Sequence, residues 1–98
     1  MAGRRRGGRP RPQFEWDSAN EEKLLLRHDV SALEAEQCFA NAHTSRKAGD
    51  DVYVLLGRTD DDRMLLLVYQ QKRGGMVRVY SGREMTEKER RAYRRKVR

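Results

Sequence analysis

Arg78, Tyr80 and Arg83 lie close together near the C-terminal end of the chain, after Arg63 and Arg58. Arginine makes bidentate contacts with phosphate, and a tyrosine ring stacks on a nucleobase. A group of this kind can hold a phosphodiester, polarise it and stabilise a pentacoordinate transition state. His28 adds an imidazole, the side chain that most often moves protons in catalysis. At a helix end it serves equally well as a cation on the dipole. The same residues also describe a non-catalytic basic face, and composition and spacing leave both readings open.

Other chemistries find little support. His28 and His43 have no His or Cys at ligand spacing, so no metal site is expected. Asp60, Asp61 and Asp62 lack the alternating ligands and glycine of a calcium loop and read as an acidic turn. Gly74 and Gly75 make one turn, not a phosphate-cradling loop. Cys38 is the single cysteine, which excludes an internal disulfide and agrees with a reducing cytoplasm. Beside Phe39 it reads as a packing residue. No cofactor is expected.

The elements that position the cluster can be read from pattern. Val77 and Val79 alternate with Arg78 and Tyr80, the signature of a half-buried strand. Ser18 with Glu21, Ser31 with Glu34 and Thr86 with Glu89 have capping-box spacing. They predict helices over residues 19–27, 32–42 and 87–97. The first would bury Leu24, Leu25 and Leu26. The second would bury Leu33, Cys38 and Phe39. In the third, Tyr93 and Val97 form a thin apolar stripe. Phe14 and Trp16 alternate with acids in a short opening strand. Residues 52–58, 63–70 and 76–81 read as a three-strand meander. The order strand, helix, helix, three strands, helix predicts an α+β domain with a small antiparallel sheet and helices mainly on one face.

A chain of 98 residues holds one domain, expected over 14–98, behind a disordered basic tail at 1–13. Charge is lopsided. Residues 1–13 carry five Arg and no acid, 14–62 carry five basic and twelve acidic residues, and 63–98 carry twelve basic and three acidic ones. The net charge of +7 favours polyanions or an acidic partner protein. No apolar run approaches the ~20 residues of a membrane span. The N-terminus lacks the apolar segment of a secretory signal. No membrane association is expected, and the expected location is the cytoplasm.

Several segments, in order, carry a resemblance. These are Phe14-Glu15-Trp16-Asp17, Arg27-His28-Asp29-Val30-Ser31, Glu34 and Ala35 with Phe39, and Gly57-Arg58. They continue with residues 66–69, Arg78-Val79-Tyr80-Ser81-Gly82-Arg83 and Glu89-Arg90-Arg91-Ala92-Tyr93. Together they resemble the BrnT family of ribonuclease toxins from bacterial type II toxin–antitoxin systems. The resemblance implies a RelE-like fold and metal-independent RNA cleavage that arrests translation. It also implies a BrnA-like antitoxin, with promoter DNA met only through the antitoxin complex, and is compatible with a dimer or a heterotetramer with antitoxin. Carried onto this chain, it makes His28, Arg78 and Arg83 the catalytic candidates and Arg27, Arg58, Arg63, Tyr80 and Tyr93 the RNA-binding candidates. The chain departs from the family pattern at Asn20 and Leu24, where Lys and Asn are usual, and at Val52, Asp29 and Gly82, where Arg, Gly and Ala are usual. Two alternatives follow: a weakened toxin-like protein acting as an antitoxin-binding regulatory partner, or a plain RNA- or DNA-binding module.

Overall fold

The computed structural model describes residues 12–97. Most of the expected basic tail lies outside the described residues, although Gln13 is already paired in the first strand. The order is β1 (Gln13–Phe14), α1 (Ser18–His28), α2 (Ala32–Ala40), β2 (Thr44–Gly49), β3 (Val52–Arg58), β4 (Met64–Gln71), β5 (Met76–Glu84) and α3 (Glu87–Val97). All five strands form one sheet in the order β1-β5-β4-β3-β2. The fold is α+β, as expected. Its sheet is mixed, because β1 runs parallel to β5 while every other pair is antiparallel. The meander also gains β2. Its sequence Thr-Ser-Arg-Lys-Ala-Gly has no branched apolar run, because it is an exposed edge strand.

Two of the three predicted capping boxes form. Ser31 and Glu34 exchange both hydrogen bonds at 3.0 Å. Thr86 and Glu89 do so at 2.8 and 3.2 Å. At α1 the cap is Asp17 rather than Ser18, and its carboxylate accepts from the Asn20 N–H. A carboxylate one residue earlier in the chain displaces the weaker hydroxyl. Of the three consecutive leucines only Leu24 is buried, while Leu26 is 75% exposed. Neighbouring helical residues sit ~100° apart, so three in a row cannot share a face. Likewise Leu33 is 65% exposed, and Ala35 and Cys38 fill its expected place. α2 stops at Ala40, short of the expected residue 42.

Leu24, Val30, Ala35 and Cys38 pack over Leu55, Leu65, Leu67, Tyr69, Val77 and Val79. Thus α1 and α2 cover one sheet face. A Cβ at Gly57 would meet the Cys38 carbonyl at 2.9 Å, so the glycine lets α2 lie against β3. Edge-on rings at 5.0 Å link Phe14 to Phe39 and Phe39 to Tyr69, tying β1, α2 and β4 together. The third helix is placed differently. Tyr93 is buried and donates its hydroxyl to the Ala42 carbonyl at 2.7 Å. Ala92 and Lys96 lie beside Val54, Leu56 and Leu66, side chains of the sheet face that α1 and α2 leave open.

Candidate nucleic-acid face

Arg78 and Arg83 are five residues apart on one strand, a spacing that puts side chains on opposite faces of a regular sheet. The ladder between β4 and β5 resolves this. Gln70 pairs with Arg78 and Tyr69 with Val79, but Val68 pairs with Ser81 and Leu66 with Arg83. Tyr80 is therefore the extra residue of a β-bulge. The bulge reverses the parity of β5 midway. Val77, Val79 and Gly82 face the helices, whereas Arg78, Ser81 and Arg83 stand opposite Gln70, Val68 and Leu66 on the open face. Tyr80 is exposed beside them.

The bulge has a support. Asn20 of α1 is buried and donates its side-chain amide to the Val79 carbonyl at 3.1 Å, one residue before Tyr80. β1 pairs with β5 only as far as Val77, so this carbonyl has no strand partner on that side. The Asn20 Oδ1 is buried with no partner of its own.

Each arginine of the cluster meets carboxylates. Arg83 forms a two-pronged pair with Glu89 of α3 at 2.8 and 2.9 Å. That pair holds the Glu89 carboxyl down at about 2, with the Thr86 N–H assisting and burial opposing, and raises the Arg83 guanidinium above its ordinary value. Arg78 reaches Glu15 at 3.4 Å and Asp17 at 3.2 Å. The Lys72 ammonium, 2.7 Å from Glu15, is the chief cause that lowers that carboxyl, and Arg78 adds to it. The Asp17 carboxyl is lowered chiefly by the Asn20 N–H and then by Arg78. Arg58 pairs with Asp62 at 2.9 Å.

The remaining candidates lie elsewhere. Arg63 ties three elements together, donating to Glu34 at 2.8 Å, to Glu84 at 2.9 Å and to the Asp29 carbonyl at 3.0 Å. Its donors are spent on the fold. Tyr93 is buried with its hydroxyl committed, and burial pushes that hydroxyl above its usual range. Neither presents a free group to RNA. His28 and Arg27 close α1, which packs against the helix-covered side of the sheet. His28 is half-buried, and among the described residues it makes no hydrogen bond to Arg78 or Arg83. The open face thus carries Arg78 and Arg83, with exposed Tyr80 between them in the chain, while His28 sits at the end of α1 over the other face.

Four of the five departures, all but Val52, have local reasons. Leu24 is a core residue and Asn20 holds the bulge. Asp29 takes the left-handed conformation at φ 56°, which ends α1 and explains why glycine suits the position. A Cβ at Gly82 would meet Leu67 at 2.9 Å and Val30 at 3.3 Å.

A groove of about 430 Å³ runs between α3 and the open face, lined by Arg46, Lys88 and Lys96 among others. Pattern reading missed these three cations. Their exposure was legible, but their convergence depends on β2, which was not predicted. Among the described residues, no group of three or more His, Cys, Asp or Glu is placed to hold a metal ion. No described helix is long and apolar enough to cross a membrane.

No curated protein matches the chain. Residues 16–89, which include the bulge, both completed capping boxes and every residue of the open-face cluster, match the family described as the ribonuclease toxin BrnT of type II toxin–antitoxin systems. That span is most of the chain, and the chain belongs to the BrnT family.

Proposed function

We propose that this chain cleaves RNA without a metal ion, through attack of a ribose 2′-hydroxyl on the adjacent phosphate. The new 2′-O–P bond forms as the P–O5′ bond breaks, giving a 2′,3′-cyclic phosphate and a 5′-hydroxyl. The 2′-hydroxyl loses its proton to a base, and the departing 5′-oxygen takes one from an acid. Arg83 and Arg78 stabilise the charge on the phosphorane, and Tyr80 carries a flanking base. His28 is the proposed proton carrier, acting once α1 and the substrate bring it to the phosphate. The observation that supports the reading best is the bulge that turns Arg78 and Arg83 to one face of the sheet, with Tyr80 exposed as the extra residue between them. Translation arrest, a cytoplasmic site, a RelE-like architecture and neutralisation by a BrnA-like antitoxin belong to the same reading.

The test is incubation of antitoxin-free protein with RNA in EDTA. The expected products end in 2′,3′-cyclic phosphate. Removing one charge-stabilising donor in Arg83→Ala is expected to slow cleavage by about 10²–10³-fold. RNA left intact by the unaltered protein overturns the proposal.

A second reading has its own support. Arg58, Arg63, Arg78 and Arg83 all have carboxylate partners, so a phosphate must displace an acid to reach them. On that reading the chain is a weakened toxin that persists as an antitoxin-binding regulator. Intact RNA together with tight antitoxin binding selects it.

A further inference from the structure

The arginines of β5 do not account for the groove beside α3. Its floor is aliphatic, built from Val54, Leu56 and Leu66 of the sheet and Ala92 of the helix. Arg46 rises from the edge strand on one side, and Lys88 and Lys96 from α3 on the other. None of the three forms an ion pair among the described residues, in contrast to Arg58, Arg78 and Arg83. The single acid on the groove wall, Glu89, is neutralised by Arg83. The volume of about 430 Å³ falls in the ~300–1,000 Å³ range of cavities that enclose a ligand.

We propose that this groove docks an acidic peptide segment of a partner protein, with an apolar side chain anchored on the aliphatic floor and carboxylates meeting Arg46, Lys88 and Lys96. Charge complementarity selects the occupant. An apolar anchor desolvated on such a floor supplies most of the affinity, and rim charges set register and encounter rate. Nucleic acid fits the same cations, but the floor offers no aromatic ring for a base to stack on. The exposed ring of Tyr80 does not line the groove. Glu89 joins the groove wall to Arg83, so a docked segment lies next to that arginine. The proposal does not depend on RNA cleavage.

The test is selection of a random dodecapeptide display library on the full-length protein, followed by fluorescence titration of the enriched peptides. The expected peptides are net acidic with a Leu, Ile or Phe anchor. Their affinity is expected to fall about tenfold or more on Lys88→Glu combined with Lys96→Glu, and again on Ala92→Gln, which puts a longer, uncharged polar side chain over the apolar floor. The first loss shrinks as salt rises, and the second does not. Both variants alter the surface of α3, and far-UV dichroism checks that they fold. The N-terminal arginines are unchanged in both, so non-specific attraction to the tail is unaffected. Failure to enrich any peptide, peptides without an acidic bias, or affinities indifferent to both variants overturn the proposal. So does a loss confined to a fluorescein-labelled single-stranded RNA, which makes the groove a nucleic-acid subsite instead.

Discussion

Glu89 has two roles that one substitution separates. Its carboxylate accepts from the Thr86 N–H, completing the capping box, and it grips Arg83 with both oxygens. Gln keeps the reach of a capping-box residue but not the charge. The carboxyl lies near 2 against 4.5 when free, a displacement that converts at ~1.4 kcal/mol per pH unit to a ceiling of about 3 kcal/mol. Arg83 is 52% exposed, so solvent screens the pair, and part of the displacement comes from the Thr86 N–H, which Gln retains. Glu89→Gln is therefore expected to cost about 1–2 kcal/mol, lowering Tm by roughly 5–15 °C. Because the folded-state value lies below the unfolded one, this stability is present in full above pH 4.5 and is lost as pH falls toward 2. Urea melts of the native and Gln proteins should differ most at pH 7, draw together below pH 4.5 and converge only near pH 2. A double-mutant cycle with Arg83→Met isolates the pair. The same variant frees a guanidinium for phosphate and is expected to tighten RNA binding. Equal stability at pH 7, or a deficit at pH 3 as large as at pH 7, refutes this account of the ion pair.

Asn20→Ala strands the Val79 carbonyl beside the bulge and should cost about 1–3 kcal/mol by urea unfolding. An unchanged midpoint would mean that the bulge holds without it. Arg63→Met leaves Glu34 of α2 and Glu84 of β5 without their shared cation, at an expected cost of about 1–3 kcal/mol. In that variant the Glu34 carboxyl, now held below its usual range, should climb when followed by NMR titration. Burial pushes the Cys38 thiol up to about 12, with Glu34 adding to the effect and Arg63 opposing it. Iodoacetamide should therefore label Cys38 only as fast as the protein opens, and rapid labelling under native conditions would refute its burial.

The legible parts of the sequence were those fixed by local chemistry. Ser31 with Glu34 and Thr86 with Glu89 start helices because each pair satisfies two backbone donors within one turn, without reference to the rest of the fold. The runs through β3 and β4 were legible because both strands are buried on one face and half-covered on the other. Long-range consequences were hidden. β2 is identified by the strand it pairs with, not by its own composition. The parallel pairing of β1 involves two residues at the far edge of the sheet. Among the candidate site residues, Arg78, Tyr80 and Arg83 were picked by type and proximity in the chain, and the bulge that sets Arg78 and Arg83 on one face was not legible. Arg63 and Tyr93 have the right types, but their ends are fixed by Glu34, Glu84 and Ala42, partners far away in the chain.

The bulge and the ion pairs together separate charge from chemistry on this face. A strand without the extra residue would turn Arg83 toward Leu67 and Val30, and the phosphate-facing group would lose a member. With it, Arg83 meets Glu89 and Arg78 meets Glu15 and Asp17, so the arginines best placed for chemistry carry little net charge into solution. The long-range field comes instead from cations without partners, and Arg46, Lys88 and Lys96 converge on the groove. Attraction of a polyanion or an acidic segment is thus assigned to the groove and α3. Close contact with a phosphate requires Glu89 to give way, which favours a ligand dense enough in charge to compete for Arg83. On the proposed reading, the unpaired cations of the groove are where a partner arrives and the β5 bulge is where a phosphate would be gripped.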